Sequence, residues 1–199
     1  MDKKTIETYN KVAGEYDREV ADFWKLFPRG VIDAFAKKVK RGGRVLDVGS
    51  GSGRDALILK GAGLSVTCLD ASEAMIGLTK KKGFPSVLAD FSGIPFPDGS
   101  FDGAWAYTSL LHVAKDKVRE PLAEIRRVLK DGRILGLGMI EGNSEEYRES
   151  AGPGLPRYFA YYTKPELEEL LKEAGFAVFH FDTFKPGSRD YLHFLARKA

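Results

Sequence analysis

Val45-Leu46-Asp47-Val48-Gly49-Ser50-Gly51-Ser52-Gly53 limits the fold of this chain more than any other run: an apolar strand stem with one carboxylate, then three alternate glycines before a helix-like stretch. Glycine lacks the Cβ that would hold a ligand off the backbone, and it permits the φ/ψ values of a tight strand-to-helix turn. The spacing narrows the ligand. A dinucleotide loop reads G-x-G-x-x-G and aims a helix N-terminus at a pyrophosphate. Here the third glycine comes one residue early, and no Gly-Lys-Ser/Thr follows as in a phosphate loop. Asp47, just before the turn, would oppose a polyanion and favour a cation. The residues point to a ligand with an adenosine part and a positive charge, and without phosphate.

Short β-branched or apolar runs alternate with longer amphipathic ones along the rest of the chain, the pattern of an α/β domain. Strands are expected near 44–48, 65–69, 86–89, 101–106, 133–140, 177–183 and 190–197. Helices are expected near 2–12, 17–39, 54–62, 72–82, 116–130 and 164–174, with Pro28 interrupting the second because a proline removes a helical hydrogen bond. Ser72 and Thr163 stand as N-caps, Pro165 fits a first turn, and Gly175 follows Glu173-Ala174 as a stop.

A chain of 199 residues with 43% hydrophobic content can bury a sizeable core as one domain. No stretch approaches the roughly 20 apolar residues that span a bilayer, and the charged start Met1-Asp2-Lys3-Lys4 leads into no apolar signal core. Cys68 is the single cysteine, which agrees with a reducing cytoplasm. A net charge of +3 is too balanced to demand a nucleic-acid partner, and Lys37-Lys38 and Lys80-Lys81-Lys82 read as solvated helix ends.

Acidic residues recur where such a ligand needs them. Asp70 ends the second strand 21 positions after Gly49, the interval at which nucleotide folds place an acid for the ribose hydroxyls. Asp90-Phe91 follows the third strand and offers a carboxylate for an exocyclic amine and a ring for a base. The ordered set Asp47 to Gly53, Leu69-Asp70-Ala71-Ser72, Ala89-Asp90, Phe101-Asp102-Gly103-Ala104-Trp105 and Leu129-Lys130-Asp131-Gly132-Arg133 resembles the successive motifs of class I S-adenosylmethionine-dependent methyltransferases. Tyr9-Asn10-Lys11-Val12-Ala13-Gly14-Glu15-Tyr16-Asp17 is similar to that family's N-terminal lead-in, Y-x-x-x-A-x-x-Y-D, which commonly closes over the cofactor.

The resemblance implies a Rossmann-like α/β fold, doubly wound, with a seven-stranded mostly parallel sheet whose last strand is antiparallel and helices on both faces. It implies a helical lid over 1–40, a methyltransferase domain over 41–199, and S-adenosylmethionine as cofactor with S-adenosylhomocysteine as product. Gly49, Gly51 and Gly53 would line its methionine part, with Asp47 near the ammonium. Asp70 would hold the ribose, Ala71 and Met75 would flank the adenine, and Asp90 and Phe91 would address its edge. Tyr9 and Tyr16 would cover the cofactor, while Tyr107 and Leu110 would lie nearest the sulfonium. Methyl transfer asks mainly for alignment and exclusion of water, and for a base only where the acceptor loses a proton. His112, at the same edge, is the candidate base beside Tyr107. His180 and His193 fall in late strands and read as structural.

Residues 141–162 read as an irregular insertion that shapes the acceptor pocket, because long loops of this kind often bind or cover ligands. Arg157, Tyr158 and Tyr161 within it, with Trp24 from the N-terminal helices, are the candidate acceptor contacts. Aromatics with an arginine suit a small organic acceptor. Where nucleic-acid amine methylases carry Asn/Asp-Pro-Pro-Tyr/Phe, this chain has Ala106-Tyr107-Thr108-Ser109, and it lacks a Pro-Cys nucleophile. The expectation is a cytoplasmic enzyme that methylates an oxygen, nitrogen or carbon nucleophile of a small molecule, without metal, membrane or nucleic acid. A non-catalytic S-adenosylmethionine-binding sensor or partner subunit, and a nicotinamide-dependent oxidoreductase, are the alternatives.

Overall fold

The computed structural model describes residues 1–199. Three helices come first, α1 (Lys3–Val20), α2 (Phe23–Leu26) and α3 (Gly30–Lys38). The alternating region follows: β1 (Arg44–Val48), α4 (Arg54–Gly61), β2 (Ser65–Asp70), α5 (Glu73–Lys81), β3 (Ser86–Leu88), β4 (Phe101–Tyr107), α6 (Arg119–Val128) and β5 (Leu129–Ile140). The last part holds β6 (Glu145–Arg148), β7 (Arg157–Ala160), α7 (Lys164–Glu173), β8 (Phe176–Phe184) and β9 (Tyr191–Lys198). Seven strands form one sheet in the order β3-β2-β1-β4-β5-β9-β8. The pairs among β3, β2, β1, β4 and β5 are parallel, and β9 runs antiparallel to both of its neighbours. The sheet reverses order between β1 and β4, so the carboxyl ends of these strands open a crevice there.

Size alternation across paired strands explains how the sheet packs. On β4, Ala104 and Ala106 face one layer while Trp105 and Tyr107 face the other. On β5, Leu135, Leu137 and Met139 fill the first layer, and Gly136 and Gly138 lie on the second. Trp105 is in register with Gly136, and Tyr107 with Gly138. A Cβ at either glycine would lie 2.3 Å from the ring of its partner, so the two rings lie flat across strand positions that carry no side chain. Phe35 of α3 packs on Trp105 at 5.1 Å. The opposite face is covered by α6 and α7 through Leu122, Ile125, Leu167 and Leu171.

Two expectations about local structure need correction. The first helix does not stop at 12: α1 runs to Val20 through Gly14, and the break falls at 21–22 and again before Gly30. Gly14 costs about 1 kcal/mol in a helix interior, which docking offsets. Asp2 caps the helix, and Asn10 Oδ1 accepts hydrogen bonds from Ser72 Oγ (2.7 Å) and the Ala74 N–H (3.1 Å). Lys82 Nζ reaches Asp17 (2.5 Å) and the Ser52 carbonyl (2.8 Å). The stretch 141–162 is not irregular either, because β6 and β7 pair antiparallel from Glu145↔Ala160 to Arg148↔Arg157. All four β6 residues are exposed, so no apolar alternation announced the strand.

Candidate active site

A cleft lies at the carboxyl ends of β1, β2 and β4, under α1. It brings together Tyr9, Tyr16, Asp47, Gly49, Gly51, Asp70, Met75, Phe91, Tyr107 and His112 of the residues expected from sequence. Gly49 and Gly51 hold φ of +68° and +52°, in the left-handed region that side chains avoid. Gly49 also approaches Ser109 so closely that a Cβ would lie 2.3 Å from the Ser109 Cβ. Gly53 does not line the cleft. It stands as N-cap of α4 with φ +86°, and its missing Cβ leaves room for Thr79 and Phe84.

Three acids of the site have different surroundings. Asp70 accepts hydrogen bonds from the N–H groups of Gly51 (2.8 Å) and Ser72 (2.8 Å). Burial nonetheless pushes its carboxyl up to about 6. Asp47 is buried, and burial with the nearby Asp55 charge raises its carboxyl well above the usual range. Asp55, which sequence reasoning missed, is a hub: it accepts from Trp24 Nε1 (2.7 Å), Trp105 Nε1 (2.8 Å) and Arg54 Nε (2.6 Å). Two buried indole N–H groups require an acceptor, so Trp24 and Trp105 are the signal that could have revealed Asp55. Arg54 lines the cleft with its guanidinium 4.4 Å above the Phe23 ring, and only its Nε takes part in a hydrogen bond.

His112 is held at both ring nitrogens. Nδ1 donates to the Tyr158 carbonyl (2.6 Å), which leaves Nε2 as the acceptor for the Tyr9 hydroxyl (2.9 Å). Burial depresses the imidazole to about 4. Arg157 Nη1 donates to the Tyr9 oxygen (3.1 Å), and the Tyr158 N–H donates to Thr5 Oγ1 (2.8 Å). Arg157 and Tyr158 therefore tie β7 to α1 and to His112 without lining the cleft. Tyr158 also bonds Glu145 through its hydroxyl.

The remaining expected residues lie elsewhere. Asp90 binds the N-terminal amine and the Ser92 N–H and opens on a neighbouring groove, and Ala71 does not line the cleft. Trp24 is buried against Asp55 and Tyr107, where it anchors α2. Tyr161 lines a separate groove with Phe23, Phe27 and Tyr191, and its hydroxyl accepts from Arg148. No group of three or more His, Cys, Asp and Glu side chains is arranged to hold a metal. No helix is long and apolar enough to cross a membrane.

A Rossmann-like sheet with this strand order, a glycine loop after β1 and a buried acid at the end of β2 match the class of S-adenosylmethionine-dependent methyltransferases. The comparisons agree. The family described as "Methyltransferase domain" matches residues 46–136. An O-methyltransferase of Aspergillus nomiae, rstn1, is 31% identical over 74% of this chain and 70% of its own length. An O-methyltransferase of Aspergillus sclerotiorum, resE, is 32% identical over 79% of this chain, which spans 64% of that relative. The structure of a Burkholderia thailandensis 1,6-didemethyltoxoflavin-N1-methyltransferase, solved with its substrate and S-adenosylhomocysteine, superposes with a TM-score of 0.72 at 24% identity, over 97% of this chain and 87% of that one. The chain belongs to the class I S-adenosylmethionine-dependent methyltransferase family, whose cofactor is S-adenosylmethionine.

The residues present fit that cofactor. Asp47 Oδ2, Ser50 Oγ and Ser109 Oγ belong to cleft residues and are buried without a hydrogen-bond partner, which leaves acceptor and donor capacity for an amino-acid group. The glycine loop provides the close backbone approach, and Asp70 sits one strand step away.

Proposed function

We propose that this protein transfers a methyl group from S-adenosylmethionine to a nucleophile of a small molecule. Bound S-adenosylmethionine supplies a methyl group made electrophilic by the sulfonium charge. The observation that carries the reading is the combination, in one cleft, of unpartnered buried oxygens on Asp47, Ser50 and Ser109 with the Asp70 carboxylate beyond the glycine loop. Asp70 holds the ribose hydroxyls, Asp47 and the Ser50 hydroxyl take the ammonium end, and the free guanidinium nitrogens of Arg54 take the carboxylate. Met75 and Phe91 flank the adenine.

Residues 1–40 act as the cover, with Tyr9 and Tyr16 meeting edge to face at 5.4 Å above the cleft. His112 serves this cover. With Nε2 occupied by Tyr9 and its basicity depressed by burial, its arrangement supports a fastening of α1 to β7 better than a base. The acceptor enters from the aromatic side, past Phe23 and Tyr191, which both lie within 6.5 Å of the Tyr107 ring. The relatives named as O-methyltransferases favour an oxygen nucleophile. A buried, unpaired Cys68 suits a reducing cytoplasm.

Calorimetric titration with S-adenosylhomocysteine and with NAD tests the reading: the first should bind and the second should not. Asp70→Ala should weaken S-adenosylhomocysteine binding by about 2 kcal/mol through loss of charged hydrogen bonds. Unchanged affinity would remove Asp70 from the site. Transfer of labelled methyl groups into a metabolite extract separates an enzyme from a binding-only protein.

A further inference from the structure

Tyr107, Gly138, His193 and Asp182 occupy one row across four adjacent strands. Tyr107 of β4 pairs with Gly138 of β5, Gly138 pairs with His193 of β9, and His193 pairs with Asp182 of β8. Because Gly138 has no side chain, the Tyr107 ring crosses the β5 position and sets its hydroxyl 2.9 Å from His193 Nε2. His193 Nδ1 lies 2.7 Å from Asp182 Oδ1. Tyr107 lines the cleft, His193 is buried, and the Asp182 side chain is 41% exposed. The row thus starts at a residue that lines the cleft and ends at a partly exposed carboxylate.

The chemistry of the row has a direction. A carboxylate accepts only, so Nδ1 of His193 carries the proton and Nε2 faces Tyr107 with a lone pair. The Tyr107 hydroxyl donates to Nε2 and keeps its own lone pairs free, on a residue that lines the cleft. An acid, an imidazole and a hydroxyl linked in this order move a proton away from the hydroxyl while the acid stabilises the imidazolium. Other groups near the row include His180, whose Nε2 lies 3.2 Å from Asp182 Oδ2, the Phe184 ring against His193, the Arg54 guanidinium 5.7 Å from the Tyr107 ring, the Asp55 carboxylate paired with Arg54, and Tyr191, whose ring lies 6.4 Å from that of Tyr107.

We propose that Tyr107, His193 and Asp182 form a proton relay that accepts the proton of a hydroxyl methyl acceptor and delivers it to solvent. This rests on the methyltransferase reading and narrows the acceptor to a neutral alcohol or phenol that must lose a proton. As the acceptor oxygen bonds to the methyl carbon, the carbon–sulfur bond breaks and its electron pair stays on sulfur. The acceptor's proton passes to Tyr107 Oη, and the original Tyr107 proton passes to His193 Nε2. The resulting imidazolium gives its Nδ1 proton through the partly exposed Asp182 carboxylate to water, which balances charge and atoms, and a turn of the Tyr107 hydroxyl with exchange of the imidazole protons restores the Nδ1–H form before the next turnover. Tyr107 is the catalytic residue of this relay; His193 and Asp182 are positioning residues.

Sinefungin, an analogue in which an amine-bearing carbon replaces the sulfur–methyl unit, places an N–H donor where the reacting group belongs. Its affinity relative to S-adenosylhomocysteine, measured by calorimetry on the whole protein, reads the relay without a known acceptor. The ratio should fall about tenfold in Tyr107→Phe, the worth of one charge-assisted hydrogen bond. Asp182→Asn should move the His193 proton to Nε2, visible in the ¹⁵N shifts of the imidazole, turn the Tyr107 proton toward the cleft, and lower the ratio several-fold. A merely structural role would leave that ratio alone. If S-adenosylhomocysteine binds normally but Tyr107→Phe, or Asp182→Asn where Tyr107→Phe does not fold, leaves the ratio unchanged, the relay is overturned and the methyltransferase reading stands. A wild-type His193 with its proton on Nε2 has the same consequence. Failure of wild type to bind S-adenosylhomocysteine overturns both.

Discussion

Two tyrosines that line the same cleft each meet a histidine, and the pairs differ in what stands behind the imidazole. Tyr9 meets His112 and Tyr107 meets His193, each at 2.9 Å. Behind His112 is the neutral carbonyl of Tyr158; behind His193 is the carboxylate of Asp182. A carbonyl orients a ring and cannot neutralise a positive charge on it, whereas a carboxylate does both. Burial holds His112 down to about 4 against the Tyr158 hydrogen bond, and burial lowers His193 too, but there the hydrogen bond and the charge of Asp182 both offset part of it. Like residues thus serve unlike ends: the first pair fastens α1 to the hairpin, and the second can carry a proton.

The comparison breaks most severely at Gly138. Gly138→Val places a side chain inside the Tyr107 ring, which Trp24, Phe23 and Trp105 already enclose. We expect a loss of about 3 kcal/mol in urea denaturation from overpacking. Stability within 0.5 kcal/mol of wild type would mean that Tyr107 can leave the row cheaply.

The pH dependence of stability sharpens the contrast from the other side. An unfolded histidine takes up a proton near 6.5, but folded His112 resists until about 4. Its contribution is complete above pH 6.5 and drains as pH falls toward 4, by about 3 kcal/mol. Asp70 works in the opposite sense, because its folded value of about 6 exceeds the unfolded one. Its protonation favours the fold at low pH, and that advantage is lost as pH rises through 6. The two slopes oppose each other between about pH 4 and 6. In Asp70→Asn one opposing slope disappears while that of Asp47, whose carboxyl burial also raises, remains, so denaturation midpoints should rise more steeply from pH 4.5 to 6.5 than in wild type. A profile no steeper than that of wild type would show that burial does not raise the Asp70 carboxyl.

The smallest effect belongs to the fastening. Tyr9→Phe leaves His112 Nε2 without its donor and Arg157 Nη1 without its acceptor, at a cost of about 1 kcal/mol. Hydrogen exchange of α1 amides should quicken while the β4 and β9 amides stay protected. Equal quickening in both places would dissolve the distinction between the pairs.

Much of the cofactor half was legible in one dimension. Asp47, the 49–53 loop and Asp70 lie within 24 positions and on successive strands, so local spacing reports their place in space. Even there Gly53 belongs to a helix cap and Asp90 to a neighbouring groove, because a strand end names an edge but not the direction a side chain takes from it. The proton-bearing half was not legible. Tyr107 and His193 stand 86 positions apart, and His193 looked structural until sheet order put β9 beside β5. Asp55 drew no reading from the sequence, and its role appears only where two tryptophans separated by 81 positions close on it.

By itself, then, the order of residues determined the strand–turn–helix rhythm, the glycine loop and the acid one strand later, since each depends on backbone conformation over a few neighbours. Tertiary structure alone decided which imidazole has a carboxylate behind it, which aromatic ring crosses which glycine, and how Arg157 and Tyr158 hold α1 down. Those outcomes depend on register between strands distant in sequence, and register is set by how large and small side chains fit across the whole sheet.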